Sequence, residues 1–428
     1  MRSFTYYRAA TWTAGIVLAV LLLALTFTLG YVVNGETNDG SSQGQTQQPV
    51  DNGNTTSSDV DFNTLNQILD ILKSDYFDRD KLDDELLYQA AVEGLINSLA
   101  DTGTFYIDPR SNALSLGLSG TFEGIGATVS EQNNLIVIVS PFADSPAEAA
   151  GILPGDTILA VDGEPTDGWS VDKAVLRIRG PKGTNVTLGV RHADGTEEEI
   201  TITRDEVRVN TVTTTPPGGV LRDATGSDVT DLAYMRISEF NENTPAEVEA
   251  VASDAEDSGK RGLILDLRAN PGGLLQETVE TADLFLDQGV ILIEEDRDEN
   301  ETFYRARPGG AALTIPIVIL MDQYSASGSE VLAAALKDNG RAIILGTVSF
   351  GKGTVNTARQ LDDGGALFVT IRHWLTPKGV QIDGVGIAPD IEVTPGPLDP
   401  EYDPSNDVQV QRAIDHLHGL AAGAPVTP

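Results

Sequence analysis

The distribution of apolar residues divides the chain into segments of different period. An apolar run from about Ala14 to Val33 follows Arg2 and Arg8, and no charge intervenes between Arg8 and Glu36. Roughly 20 apolar residues span a bilayer as a helix, and positive charge ahead of them places that end inside and the bulk outside. Gly30-Tyr31-Val32-Val33-Asn34 is a poor cleavage site. Residues 1–33 therefore read as a cytoplasmic N-terminus and an uncleaved signal anchor rather than a cleaved signal peptide, with the body extracytoplasmic. Residues 34–58, rich in Asn, Gly, Gln, Ser and Thr, read as a flexible tether.

Helical spacing follows from Asp61 to about Leu99, within a small helical domain expected over 59–118. Leu65, Ile68, Leu69 and Leu72 recur at three and four, as do Leu86, Leu87, Ala90, Ala91, Leu95, Ile96 and Leu99. From 119 to 206 the pattern turns to short strands. Leu135–Val139, Thr157–Val161, Val186–Val190 and Glu199–Thr203 are the strand candidates, and Ser145-Pro146 opens a short helix. Residues 207–397 alternate strand and helix patterns, with buried strands expected at Leu263–Leu267 and Ile315–Met321. Such alternation predicts an α/β layered core. The tail, 398–428, begins as a loop and holds a candidate helix over 408–420. The expected fold class is a multidomain α/β protein: transmembrane helix, small helical domain, β-rich domain with helices, and α/β sandwich core.

Composition narrows the partners. The chain has 428 residues and a formal net charge of −36. It lacks the basic surface that neutralises phosphates, so nucleic acid is excluded as a partner. Cysteine is absent, which excludes disulfides, thiolate zinc sites and a cysteine nucleophile. No metal motif or nucleotide fingerprint occurs, so no cofactor is expected.

The stretch Ser325–Gly353 holds the clearest candidate chemistry. Ser325, Ser327 and Ser329 crowd one turn between a buried strand and a helical pattern, and the four histidines lie elsewhere. A serine there sits beside the outward-pointing N–H groups of a helix start, which suit a developing oxyanion. Taken alone, such serines are helix caps. Lys352, 25 positions after Ser327, lies between two glycines. A solvated lysine has a pKa of about 10.4, so a base working near pH 7 must drop by about 3 units, which burial can supply. Ser–Lys pairs are a known variant of triad logic. Asp266-Leu267-Arg268-Ala269-Asn270-Pro271-Gly272-Gly273 adds a diglycine turn that either exposes N–H groups to a substrate or only turns the chain. Glu330 reads as a first-turn helix charge, His192 as exposed in a hairpin turn, and His373 as packing. His416 and His418 do not share a helix face.

Residues 119–206 resemble a PDZ domain. The resemblance rests on Phe122-Glu123-Gly124-Ile125-Gly126-Ala127, Ser145–Gly151 and Leu153-Pro154-Gly155-Asp156-Thr157-Ile158-Leu159-Ala160-Val161-Asp162-Gly163. It implies a groove at Phe122, Gly124, Ile125, Gly126 and Ala127 that takes the free C-terminus of an extended peptide. With that domain ahead of the three motifs, residues 60–395 resemble the carboxy-terminal processing proteases. Leu375-Thr376-Pro377-Lys378-Gly379 and Gly386-Ile387-Ala388-Pro389-Asp390-Ile391 look like that family's closing strands.

The resemblance implies a serine endopeptidase that recognises exposed apolar C-terminal tails of protein substrates. Its nucleophile falls on Ser327, its base on Lys352, and a supporting acid on Asp338. The oxyanion donors fall on the N–H of Gly328 and of Gly272 or Gly273. Two positions depart from the family: Asn356 stands where Gln helps hold the base, and Gly328 where Ala is usual. Ser325 and Ser329 remain rival nucleophiles. The alternative is an inactive PDZ-based binding protein. The helical ends are candidate contacts for a homo-oligomer.

Overall fold

The computed structural model describes residues 62–101, 103–114, 120–192, 194–216, 219–394 and 407–421. The expected anchor at 1–33 and tether at 34–58 lie outside these residues. Among the described residues no helix is long and apolar enough to cross a membrane.

Contacts divide the chain into two units, one of them formed by residues 31–101. Its described part contains helices Asn63–Asp75 and Asp84–Asn97. Asp83 caps the second by accepting from the N–H groups of Glu85 and Leu86. Leu65, Ile68, Leu86 and Leu95 are exposed on these helices. The second helix ends at Asn97, close to the Leu99 limit of the expected helical pattern, and Phe105–Ile107, within the larger unit, forms a strand paired with Ala366–Phe368.

In that larger unit, residues 121–208 build a β-rich body. Five strands run in the order Ala127–Gln132, Leu135–Pro141, Thr157–Val161, Asn185–Arg191 and Glu197–Thr203, so Ala127–Gln132 is an edge strand. Their inward residues Ile136, Ile138, Ile158, Val186, Leu188 and Val190 enclose Ala174 and Ile178 of the helix Val171–Ile178. His192 is not exposed as expected. It is bracketed by Asp156 at 2.9 Å and Glu198 at 2.9 Å.

The core has two sheets. A six-stranded sheet runs Val212–Thr213, Ala233–Ile237, Leu263–Asp266, Ile317–Met321, Ala342–Gly346, Ile391–Glu392. It is parallel except for its first strand. Its residues alternate between two apolar layers, as the two-residue period of a strand requires. Leu263, Leu265, Ile317, Ile319 and Met321 pack with Val331, Leu332 and Leu336 of the helix Gly328–Asp338. Ile264, Val318 and Leu320 pack with Val410, Ile414 and Leu417. The latter belong to helix Val408–Ala421, so the chain's last helix is part of the core. A five-stranded antiparallel sheet holds Thr354–Gln360 beside Ala366–Leu375. The chain thus delivers Ser327 from the central sheet and Lys352 from the entry to the antiparallel one.

Asp266 ends a central strand with no exposed surface. It accepts from Tyr234 Oη at 2.8 Å and from Arg268 at 2.6 Å, and Arg268 also reaches Asp407 at 2.8 Å and Gln409 at 3.0 Å. Burial pushes the Asp266 carboxyl up, but the charges and hydrogen bonds of Arg268, with Arg236, outweigh it and hold the group below its ordinary value. A depressed carboxyl contributes stability that is complete above its unfolded pKa of about 4 and is lost as pH falls through the lower folded value. Urea midpoints are therefore expected to fall steeply below about pH 4. Asp266→Asn is expected to lower the midpoint near neutrality and to flatten that acid limb. An unchanged acid limb would count against this pair.

Candidate active site

The turn from the strand Ile317–Met321 into the helix Gly328–Asp338 places Ser327 at the N-cap with φ 54° and ψ −115°. A non-glycine residue in that region is strained and persists only where surrounding contacts fix it. Those contacts are present. Ser325 Oγ donates to Leu267 O at 2.9 Å, Ser329 Oγ to Asn270 O at 2.8 Å, and Ala326 N–H to Asn270 O at 3.0 Å. Two of the three serines therefore fasten the serine turn to the 266–273 segment. The third differs: Ser327 Oγ is buried and, among the described residues, has no hydrogen-bond partner.

The diglycine turn lies against this serine. Asn270 has no exposed surface. Its side chain donates to Ile237 O at 2.8 Å and accepts from Gly272 N–H at 2.8 Å. Gly272 has φ +104°, and a Cβ there would lie 2.7 Å from both Gly328 N and Ser327 Cβ. Gly273 has φ +154°, and its Cβ would lie 2.1 Å from Phe240 O. Only glycine permits either approach. Phe240 N–H donates to Gly272 O, and Leu274 N–H to Phe240 O. Gly272 thus spends its N–H on Asn270, while that of Gly273 stays outside these bonds. Gly328 is the first helical residue, whose N–H has no intrahelical acceptor. Its departure from the family alanine has a local reason: a Cβ there would meet Thr278 Oγ1 at 2.6 Å.

Glu330 joins the serine turn to the lysine turn. It has no exposed surface. Its Oε2 accepts from Ser327 N–H at 2.8 Å and from Lys352 N–H at 2.9 Å. Its Oε1 accepts from Ser349 Oγ at 2.5 Å and from Gly351 N–H at 2.7 Å. One oxygen shared by both backbones holds the two nitrogens within about 6 Å of each other. Burial pushes the carboxyl above its ordinary range, against the pull of the four donors toward the ionised form. The sequence reading gave Glu330 only a helix-terminus charge. The available signal was Ser-x-x-Glu, a capping-box spacing, whose glutamate half is made here.

Lys352 is 6% exposed. Its Nζ lies 6.0 Å from the centroid of Phe105, which stacks on Phe368 at 4.8 Å, and Trp374 Nε1 donates to its carbonyl at 2.8 Å. Phe105 carried no sequence signal, because strand pairing alone brings it there. Asn356 donates its amide to Gly103 O, and its Oδ1 has no partner among the described residues, so the amide expected to hold Lys352 is engaged elsewhere. Asp338, expected to support the site, ends the serine helix about 16 Å from Ser327 at 1.5 Å per residue. It pairs with Lys378 at 3.3 Å.

In the β-rich body, a cavity of about 340 Å³ lies between the edge strand and helix Val171–Ile178. Phe122, Ile125, Gly126 and Ala127 line it, as expected. Gly124 is not among its lining residues but adjoins Phe122. Arg179 stacks on Phe122 with 4.7 Å to the ring centroid. Val209 and Glu239, from beyond the body, also line the cavity and were not anticipated.

Glu330→Ala would strip the acceptor from three N–H groups and the Ser349 hydroxyl. At about 1–3 kcal/mol for each orphaned buried group, it is expected to cost several kcal/mol. Glu330→Gln keeps the shape and one acceptor oxygen, and is expected to cost about 1–3 kcal/mol. Urea denaturation measures both, and a wild-type midpoint for Glu330→Ala would contradict the arrangement.

The model of peptidase family S41 matches residues 231–393, and that of the PDZ domain residues 115–191. The chain is 36% identical to the carboxy-terminal processing protease CtpA of Bacillus subtilis over 335 residues, 78% of this chain and 69% of that protein. It is also 36% identical to the carboxy-terminal-processing protease of Bartonella bacilliformis over 326 residues, 75% of this chain and 72% of that one. Among solved structures, a photosystem II D1 C-terminal processing protease aligns at 29% identity, covering 81% of this chain and 89% of its own, with TM-score 0.44. With a PDZ domain ahead of the core that carries its serine and lysine turns, the chain belongs to the carboxy-terminal processing proteases of peptidase family S41, and is a serine-type peptidase.

Proposed function

We propose that this protein cuts protein substrates with a Ser327–Lys352 dyad after seating their C-terminal tails in the PDZ groove. The observation that carries the reading is the unpartnered, buried Ser327 Oγ on a strained turn, with Glu330 binding that turn and the lysine turn at once. Ser325 and Ser329 are occupied by structural hydrogen bonds, which favours Ser327 over its rivals. The buried setting of Lys352 is the one a neutral amine base requires.

In this mechanism the Lys352 amine takes the Ser327 proton as Oγ attacks the scissile carbonyl. The N–H groups of Gly328 and Gly273 face the developing oxyanion. The ammonium returns its proton to the leaving amine and an ester links Ser327 to the substrate. Water gives a proton to Lys352 as it attacks the ester, and the ammonium returns that proton to Ser327 Oγ as the acid product leaves, restoring both residues.

Tail recognition rests on the edge strand Ala127–Gln132 and the apolar cavity beside it. An extended peptide adds to such an edge through main-chain hydrogen bonds, with its last side chain in the pocket. Arg179 beside Phe122 supplies positive charge near the glycine loop. The apolar run at 14–33 supports placing this body outside the membrane.

Cleavage of an unstructured peptide with a free apolar C-terminus tests the reading. Ser327→Ala and Lys352→Ala are each expected to lose at least about a thousandfold in kcat/KM. Retained cleavage by either variant would remove that residue from the dyad. Binding without cleavage by the wild type would favour a PDZ-based binding protein. Amidating the peptide C-terminus is expected to raise KM by about tenfold or more with little change in kcat; equal KM values would count against carboxylate capture.

A further inference from the structure

The PDZ groove is not closed by PDZ residues alone. Glu239 of the protease core lines it together with Val209, in an otherwise mostly apolar lining that includes Ile125, Val129, Val171 and Val175. Glu239 precedes Phe240, whose backbone pairs with the Gly272–Gly273 turn. Among the described residues no hydrogen bond or ion pair engages the Glu239 carboxylate, and burial alone pushes its pKa up. A half-buried carboxylate without a donor is costly. An occupant that brings a donor removes that cost.

We propose that Glu239 is a specificity-determining residue: it selects substrate tails carrying a cationic side chain among the residues just upstream of the C-terminus. This rests on the reading of the groove as the tail-binding site. The tail's own carboxylate belongs at the glycine loop beside Arg179, so the carboxylate contributed by the core has a different partner to find. The upstream chain of an extended peptide carries side chains able to reach the groove wall. A lysine or arginine there gains a charge-assisted hydrogen bond in a partly dehydrated setting. The formal net charge of −36 favours encounter with cationic segments.

The test measures binding, by fluorescence anisotropy, to the full chain carrying Ser327→Ala so that no peptide is consumed. The probes are labelled ten-residue peptides with a free apolar C-terminus. A single lysine is placed in turn at each of the five positions before the last, and each peptide is matched to one with norleucine there. At one or two positions lysine is expected to bind about five- to tenfold more tightly than norleucine. Adding Glu239→Gln is expected to shrink that gap below about twofold, chiefly through weaker lysine binding, and measurable binding of the norleucine peptides then reports an intact groove. Adding Glu239→Lys is expected to reverse the preference toward glutamate at the same position.

If all peptides bind but no position shows the gap, or the gap survives Glu239→Gln, the inference is overturned and the groove reading stands. If no peptide binds with a free C-terminus, or amidation leaves every affinity unchanged, the groove reading itself fails and the inference falls with it.

Discussion

The Glu330 carboxylate is the constraint on which the site depends. Its four lone-pair positions receive four donors, from Ser327, Ser349, Gly351 and Lys352. Two chain segments that leave neighbouring strands of the central sheet, one for a helix and one for the antiparallel sheet, are thereby held to one point. A buried carboxylate is tolerated only when its hydrogen-bonding capacity is filled, and here that requirement fixes the geometry of both turns. The strained φ of Ser327 persists because its neighbours hold it: Glu330 on one side, and Asn270, through Ala326 and Ser329, on the other.

A second layer of the same design sits behind the diglycine turn. Asn270 orders that turn internally through Gly272 and anchors it to the central sheet through Ile237. Arg268 ties the same segment to the last helix through Asp407 and Gln409. Phe240 adds a backbone bridge from the segment that enters the PDZ groove at Glu239. The PDZ cavity and the diglycine turn therefore meet at consecutive residues, 239 and 240.

Much of this architecture was legible in the sequence. Near-continuous apolar runs marked Leu263–Leu267 and Ile315–Met321 as strands because a parallel sheet covered on both faces demands apolar side chains on both. The PDZ segment was legible because its turns need Gly and Pro at fixed positions. The 3.6-residue period marked the helices near 63–97, whereas the strand that follows them carried no such signal. Phe105–Ile107 is too short to show a period, and a core strand far along the chain recruits it.

The sequence by itself determined which chemistries were open: no cysteine, no metal motif, and a serine turn and a lysine turn on either side of a helix and a strand. It also carried the glycines at 272 and 273, where no Cβ fits. Tertiary structure decided which serine is left without a partner, since Ser325 and Ser329 find theirs in a segment more than fifty residues away. It removed Asp338 from the site, because a helix of that length carries its end away from its start, and it engaged Asn356 with Gly103. It also raised Glu330 from a helix-end charge to the joint between two turns. Local patterns are written in neighbouring residues, whereas the satisfaction of a buried polar group depends on which distant donors the fold brings to it.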